Sequence, residues 1–397
     1  MRGKSVPFHF HFARTPDIIF GSGSISQLPK QIRRFAEDVL MITDTAALQA
    51  SGVLDSVKET LEQEQIGFRQ ISAEGEPSPA FIDQVTFDLQ TRPVQAVIAI
   101  GGGSTIDSGK AVSAMAGKKD SVSVYLEGVG NKEHDGQKLP FIAVPTTAGT
   151  GSEATKNAVL SERGAKGFKK SLRHDNLVPD IALIDPQLSL SCPAGVTAAC
   201  GLDAFTQLLE SYVSTKASPL TDALAYDGLR AVKTGLLASV QQGATNLPAR
   251  EAMSYAALLS GITLANAGLG IVHGLASPMG GYTDIPHGVA CGTLLAVATR
   301  ITIRHLRQDG QKNLVYLSKY ARVGRLLTDS PCEDVGDCCD LLLEKLDEWT
   351  NLLKLPRLSE FGYTGDLIHK IAAGSGNKNN PAELSRDEIL EILQERL

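Results

Sequence analysis

A chain of 397 residues exceeds one ordinary domain and points to two or three. With 43% hydrophobic and 21% charged residues it has the make-up of a globular protein with a full core. A net charge of −6 and a pI near 5.8 exclude an electrostatic nucleic-acid binder, which needs a clustered basic surface.

The densest basic patch, Lys166, Lys169, Lys170 and Arg173, reads as solvated loop charge. Six cysteines without a C-x-x-C pair suit a reducing cytoplasm. The opening MRGKSVPFHFHF lacks the apolar stretch of a signal peptide. No apolar run approaches the roughly 18 residues that span a bilayer, so no membrane partner is expected.

In chain order, residues 38–43 read as a buried strand ending at Asp44, 54–64 as a helix and 67–71 as a strand. Residues 81–89 read as a helix, and 94–100 (VQAVIAI after Pro93) as a strongly apolar strand. A helix opens at Ser104, and strands follow at 139–144 and 181–184. Unbroken apolar strands alternating with helices predict a parallel sheet covered on both faces. After Asp185-Pro186 the character changes to long runs rich in Ala and Leu, with helices expected over 223–240, 249–267 and 293–307. The expected division is a Rossmann-like dinucleotide-binding α/β domain over residues 1–190 and a helical domain over 191–397.

The turn Gly101-Gly102-Gly103-Ser104 follows the most apolar strand and opens a helix. Glycines let backbone amides approach a phosphate, and the helix start favours negative charge, so this turn is read as a pyrophosphate cradle. The alternative is a tight connecting turn. A second small-residue segment, Pro145 to Glu153, carries Thr146, Thr147 and Thr150, which could line the cofactor with hydroxyl and amide donors. Asp44, at a strand end, could bond an adenosine ribose hydroxyl and repel a 2′-phosphate, favouring NAD over NADP; a helix N-cap is the competing reading.

Asp203 and Gln207 share one helix face at i, i+4, as do His273 and Ser277. His287, between Pro286 and Gly288, is expected in a loop of defined backbone. One carboxylate and two imidazoles are a basis for a divalent metal site, although a lone histidine is more often structural.

These segments together resemble the iron-containing (group III) alcohol dehydrogenases along nearly the whole chain. Phe20-Gly21-Ser22-Gly23 resembles that family's opening FGxG, and Gly101 to Ser104 with Asp107 and Lys110 matches GGGSxxDxxK. PTTAGTGSE at 145–153, Asp185-Pro186, Gly201-Leu202-Asp203-Ala204, Gly270 to Gly274 and Pro286-His287-Gly288 match further motifs in order. The resemblance implies an N-terminal dinucleotide-binding domain, a C-terminal helical domain, and a divalent iron or zinc that stabilises an alkoxide while hydride passes to or from the nicotinamide of NAD. It implies a small alcohol or aldehyde as substrate and a homodimer as the usual state. It places Asp107 among the cofactor residues, and Lys169 near the nicotinamide as a cofactor-binding and catalytic residue.

The chain departs from the pattern at two positions. The family's metal ligands are one Asp and three His; Asp203, His273 and His287 fit, but Gln207 stands at the remaining place. A neutral amide oxygen is a weaker donor than imidazole and implies a more weakly held Fe²⁺ or Zn²⁺. Gln207 could coordinate, water could replace it, or the site could work without tightly held metal, as in the related maleylacetate reductases. A non-redox lyase resembling dehydroquinate synthase is the other alternative. Ser277 occupies the place of a proton-relay histidine; it can pass a proton through water but cannot be the base.

Overall fold

The computed structural model describes residues 9–44, 48–49, 52–162 and 167–397. It divides into two compact units, one of Ala13–Ala194 with Ala238–Ser254, the other chiefly Gly195–Leu237 with Tyr255–Leu397.

In the first unit, strands β1 (Asp17–Phe20), β2 (Asp38–Thr43), β3 (Gly67–Ser72), β4 (Ala96–Gly101), β5 (Phe141–Pro145) and β8 (Ile181–Ile184) form one parallel sheet in the order β1-β8-β5-β4-β2-β3. Side chains alternate between its two faces. Val39, Met41, Ile98 and Ile142 pack with Leu28 and Ile32 of α1 (Leu28–Ile32) and Leu54 and Leu61 of α2 (Val53–Gln63). Leu40, Ile42, Val97 and Ala99 pack with Ile82 of α3 (Pro79–Thr91) and Ile106 and Val112 of α4 (Gly103–Met115). Burial on both faces is why these strands read as continuous apolar runs, each large aliphatic contributing roughly 1.5–3 kcal/mol.

The strand order sets the place of a ligand. The chain goes from β2 out to β3, then returns across β2 so that β4 lies on the other side. Such a reversal opens a crevice at the carboxyl ends of the flanking strands. Those ends are Thr43 and Ile100, directly paired, with Asp44 and the glycine turn following them.

The ribbon of this unit differs from the expected loop, and one further contact network ties its first strand down. β6 (Asn157–Glu162) and β7 (Phe168–Arg173) form a separate antiparallel ribbon, so Lys169, Lys170 and Arg173 lie on a strand rather than in a loop; Lys166 falls outside the described residues. The segment from Phe20 to Gly23 is tied to Asp185: its carboxylate accepts the amides of Gly23 and Ile25, both at 3.1 Å, and of Gln187 at 3.0 Å. Gly23 holds φ +81°, a conformation glycine adopts without steric cost.

The helical unit is built from α5 (Ala194–Val213), α6 (Pro219–Gln242) and α7 (Leu247–Ala267) apart from their Ala238–Ser254 portion, α8 (Ile271–Met279), α9 (His287–Arg307), α10 (Leu314–Thr328), α11 (Val335–Leu352), α12 (Gly365–Gly374) and α13 (Arg386–Glu395). By length and composition α9 could cross a membrane, contrary to the reading of no such run, as could α7 and α8 if their 100° bend were ignored. In α9 78% of that apolar window is buried against protein, the surroundings of a core helix.

Candidate metal centre and phosphate turn

Three helices supply the candidate metal centre. Asp203 lies mid-way along α5, His273 in the first turn of α8, and His287 and Cys291 one turn apart on α9. His287 is thus the first helical residue, with Pro286 as N-cap, rather than a loop residue; proline's fixed φ suits that place just before the helix. Gly288 is required beside it because a Cβ there would sit 2.4 Å from the Ala199 carbonyl oxygen.

Four ligand atoms, one each from Asp203, His273, His287 and Cys291, lie within 4.8 Å of one another. His273 Nε2 is 3.2 Å and His287 Nε2 3.8 Å from Asp203 Oδ1. The Cys291 sulfur is 3.6 Å from His273 Nε2 and 3.7 Å from His287 Nε2. Asp203, His273 and Cys291 are buried and His287 is partly exposed. Cys291 is the residue that sequence reasoning missed; its signal was the i, i+4 spacing from His287.

The other ring nitrogen of His273 is held by Glu210. One carboxylate oxygen takes Nδ1–H at 2.7 Å and the other accepts the Val272 amide at 2.6 Å. This bond commits Nδ1–H and turns Nε2 toward Asp203. Burial works against charge on His273, but Cys291, Glu210 and Asp203 outweigh it and hold its pKa well above the ordinary value. Burial likewise opposes ionisation of Asp203, yet His287 and His273 hold its carboxyl below the usual range. Burial pushes the Cys291 thiol up to about 11.

Gln207 is buried one turn beyond Asp203, and its side-chain oxygen accepts the Ser260 hydroxyl at 2.7 Å. The Ser277 hydroxyl donates to the backbone carbonyl of His273 at 2.9 Å, inside its own helix.

In the sheet unit, the glycine turn is packed against the second small-residue segment. A Cβ on Gly103 would lie 2.6 Å from both Thr150 Oγ1 and Cγ2, and one on Gly101 would lie 2.6 Å from Thr105 Oγ1. At Gly102 a Cβ would meet only Thr147, at 3.5 Å. The Thr146 amide donates to the Gly101 carbonyl at 2.9 Å. The α4 N-terminus, opening at Gly103 and Ser104, has no side-chain cap, which leaves its first amides available to an anion. Asp44 sits at the end of β2, its amide bonded to Ile100 O at 3.3 Å.

Behind the turn, Lys110 is fully buried. Its ammonium donates to Ser152 O at 2.8 Å, Thr155 Oγ1 at 2.9 Å and Asn157 O at 2.8 Å. Asp107 is turned inward as well: Oδ2 accepts the Val159 amide of β6 at 2.9 Å. Lys169 pairs with Glu76, and its charge reaches Asp107.

Residues 15–186 match the sequence profile of iron-containing alcohol dehydrogenases, and residues 197–397 match the C-terminal profile of the same family. The chain is 38% identical over 284 residues to long-chain-alcohol dehydrogenase 1 of Geobacillus thermodenitrificans, covering 69% of each chain. It is 30% identical over 383 residues to alcohol dehydrogenase 4 of Schizosaccharomyces pombe, covering 95% of this chain and 86% of that one. The fold matches a sulfoacetaldehyde reductase from Bifidobacterium kashiwanohense, solved in complex with NAD+, with a TM-score of 0.84 at 25% identity, over 98% of this chain and 99% of that one. With both profiles matched in order and an Asp-His-His cluster in the helical unit, the chain belongs to the iron-containing alcohol dehydrogenase family and is an oxidoreductase acting on CH–OH groups.

Proposed function

We propose that the protein is an NAD-dependent alcohol dehydrogenase and aldehyde reductase for small substrates, with residues 1–190 holding the dinucleotide and 191–397 the metal. The observation that carries this reading is the convergence of Asp203, His273 and His287 in a family whose relatives act on alcohols and aldehydes.

Gly101, Gly102, Gly103 and Ser104 receive the pyrophosphate at the uncapped α4 start, with Thr146, Thr147 and Thr150 forming the adjoining wall. Asp44, at the strand end across the switch point, takes the adenosine ribose and disfavours a 2′-phosphate. Asp107 and Lys110 shape this floor from behind. Lys169, paired with Glu76, lies on the same side, within electrostatic reach of Asp107.

A divalent metal, iron or zinc, supplies Lewis acidity toward the alcohol or carbonyl oxygen when bound. Asp203, His273 and His287 would hold it, and Glu210 fixes the ring of His273 through Nδ1, leaving Nε2 on the side of Asp203. Gln207 and Ser277 stand where histidines are usual. Gln207 lies close by but is engaged by Ser260, and Ser277 can relay a proton only through water.

The free thiols suit a cytoplasmic enzyme. A homodimer fits the exposed edge strand β1, where Ile18 and Phe20 are 37% and 39% exposed. A panel of alcohols with NAD and aldehydes with NADH or NADPH, followed at the nicotinamide absorbance, tests the proposal. Turnover with NAD(H) that vanishes in Asp203→Ala is expected. NAD binding without net reduction or oxidation of any substrate would overturn it in favour of a lyase.

A further inference from the structure

The family pattern has four metal ligands, and Asp203, His273 and His287 supply three of them. His273 Nδ1–H is committed to Glu210, and Nε2 is turned to Asp203 Oδ1 at 3.2 Å. The Cys291 sulfur lies within 3.7 Å of both imidazole nitrogens, and a thiol has a single proton to offer them. A cation among the four atoms would be within reach of all of them.

We propose that Cys291 is the fourth metal ligand of this chain, taking the place of the missing histidine, and that its thiolate makes the site select zinc over iron. This rests on the metal-dependent reading above, in which the substrate oxygen would enter as a fifth ligand beside the four protein donors. The spacing of the four atoms carries the assignment. With zinc bonds of about 2.0–2.1 Å to nitrogen and oxygen and about 2.3 Å to sulfur, the edges of a tetrahedron are about 3.4 Å for nitrogen to oxygen and about 3.6 Å for nitrogen to sulfur. The observed edges are 3.2 and 3.8 Å from nitrogen to oxygen, and 3.6 and 3.7 Å from nitrogen to sulfur.

The alternative fourth donor is less well placed for the role. The Gln207 oxygen already accepts the buried Ser260 hydroxyl, whereas the Cys291 sulfur lies within 3.7 Å of both imidazole nitrogens. His287 and Cys291, one turn apart at the start of a rigid helix, are positioned by the same backbone. A thiolate shifts preference toward the softer ion, and zinc already binds nitrogen and sulfur donors more tightly than ferrous iron. On binding, the thiol releases its proton to solvent and sulfur donates its electron pair to the ion; no oxidant is involved.

The test is anaerobic reconstitution of the full-length protein with equimolar Zn²⁺ and Fe²⁺, followed by elemental analysis, and separately with Co²⁺ alone, followed by absorption spectroscopy. Wild type should retain zinc over iron by roughly tenfold or more. The cobalt form should show a near-ultraviolet thiolate-to-metal band. Cys291→Ser should lose that band and roughly tenfold or more in zinc affinity, while Cys200→Ser keeps both. Metal bound as tightly by Cys291→Ser as by wild type, or a cobalt form lacking the thiolate band, would overturn the assignment and leave the dehydrogenase reading standing. Wild type that binds none of the three ions would overturn both.

Discussion

Replacing Glu210 by glutamine removes a charge and one acceptor while keeping shape. The two carboxylate oxygens face two donors, His273 Nδ1–H at 2.7 Å and the Val272 amide at 2.6 Å. Glutamine offers one oxygen and one NH₂, so one of these contacts must become donor against donor. If the amide nitrogen faces His273, the ring moves its proton to Nε2 and loses the lone pair that points at Asp203. Loss of such an orienting partner costs about 10–100-fold in metal affinity, or about 1.4–2.7 kcal/mol. If instead the nitrogen faces Val272, a buried amide is left unpaired at about 1–3 kcal/mol, which lowers the melting temperature by about 2–4 °C per kcal/mol in a unit of this size. Competition with a chromogenic chelator reads the first outcome, and thermal unfolding of the metal-free protein the second. Unchanged metal affinity together with an unchanged melting temperature would refute the role given to Glu210.

Gly102→Ala should leave the metal-free, nucleotide-free protein within about 1 °C of wild type, since its Cβ meets only ordinary contact, yet weaken NADH binding roughly tenfold or more by filling the phosphate's place; fluorescence titration giving wild-type affinity would remove the turn from the cofactor site. Glu153 is buried and its carboxyl is pushed up to about 7 by burial, against the pull of Lys110. A raised carboxyl destabilises the folded state as pH climbs from about 4.5 to about 7, so Glu153→Gln should add about 1–3 kcal/mol at pH 8 and nothing at pH 4; equal effects in denaturant melts at the two pH values would contradict this.

Much of the sheet was legible because burial on two faces leaves a plain mark. Residues 38–43 and 181–184 were read with the bounds they have. The ribbon of β6 and β7 was not, because FKKSLR shows half-exposed polar residues whose strand character comes from pairing with Asn157–Glu162, not from its own apolar content. His287 was assigned to a loop because Pro286 and Gly288 look like turn residues; here the proline caps a helix and the glycine admits the Ala199 carbonyl. Cys291 carries no motif of its own beyond its i, i+4 spacing from His287. The substitute comes from a different helix than Gln207, and only the fold brings that helix to Asp203.

The buried ammonium of Lys110 has a consequence for how a dinucleotide would be received. It gathers three oxygens of the segment from Ser152 to Asn157 that would otherwise need water, and so fixes the shape of that segment during folding. A ligand arriving at the turn in front of it meets a surface with little left to order, and less of its binding energy is consumed in arranging the protein. In amide hydrogen exchange the segment around Ser152 should be protected before any nucleotide is added, with the nucleotide's own imprint confined to the glycines.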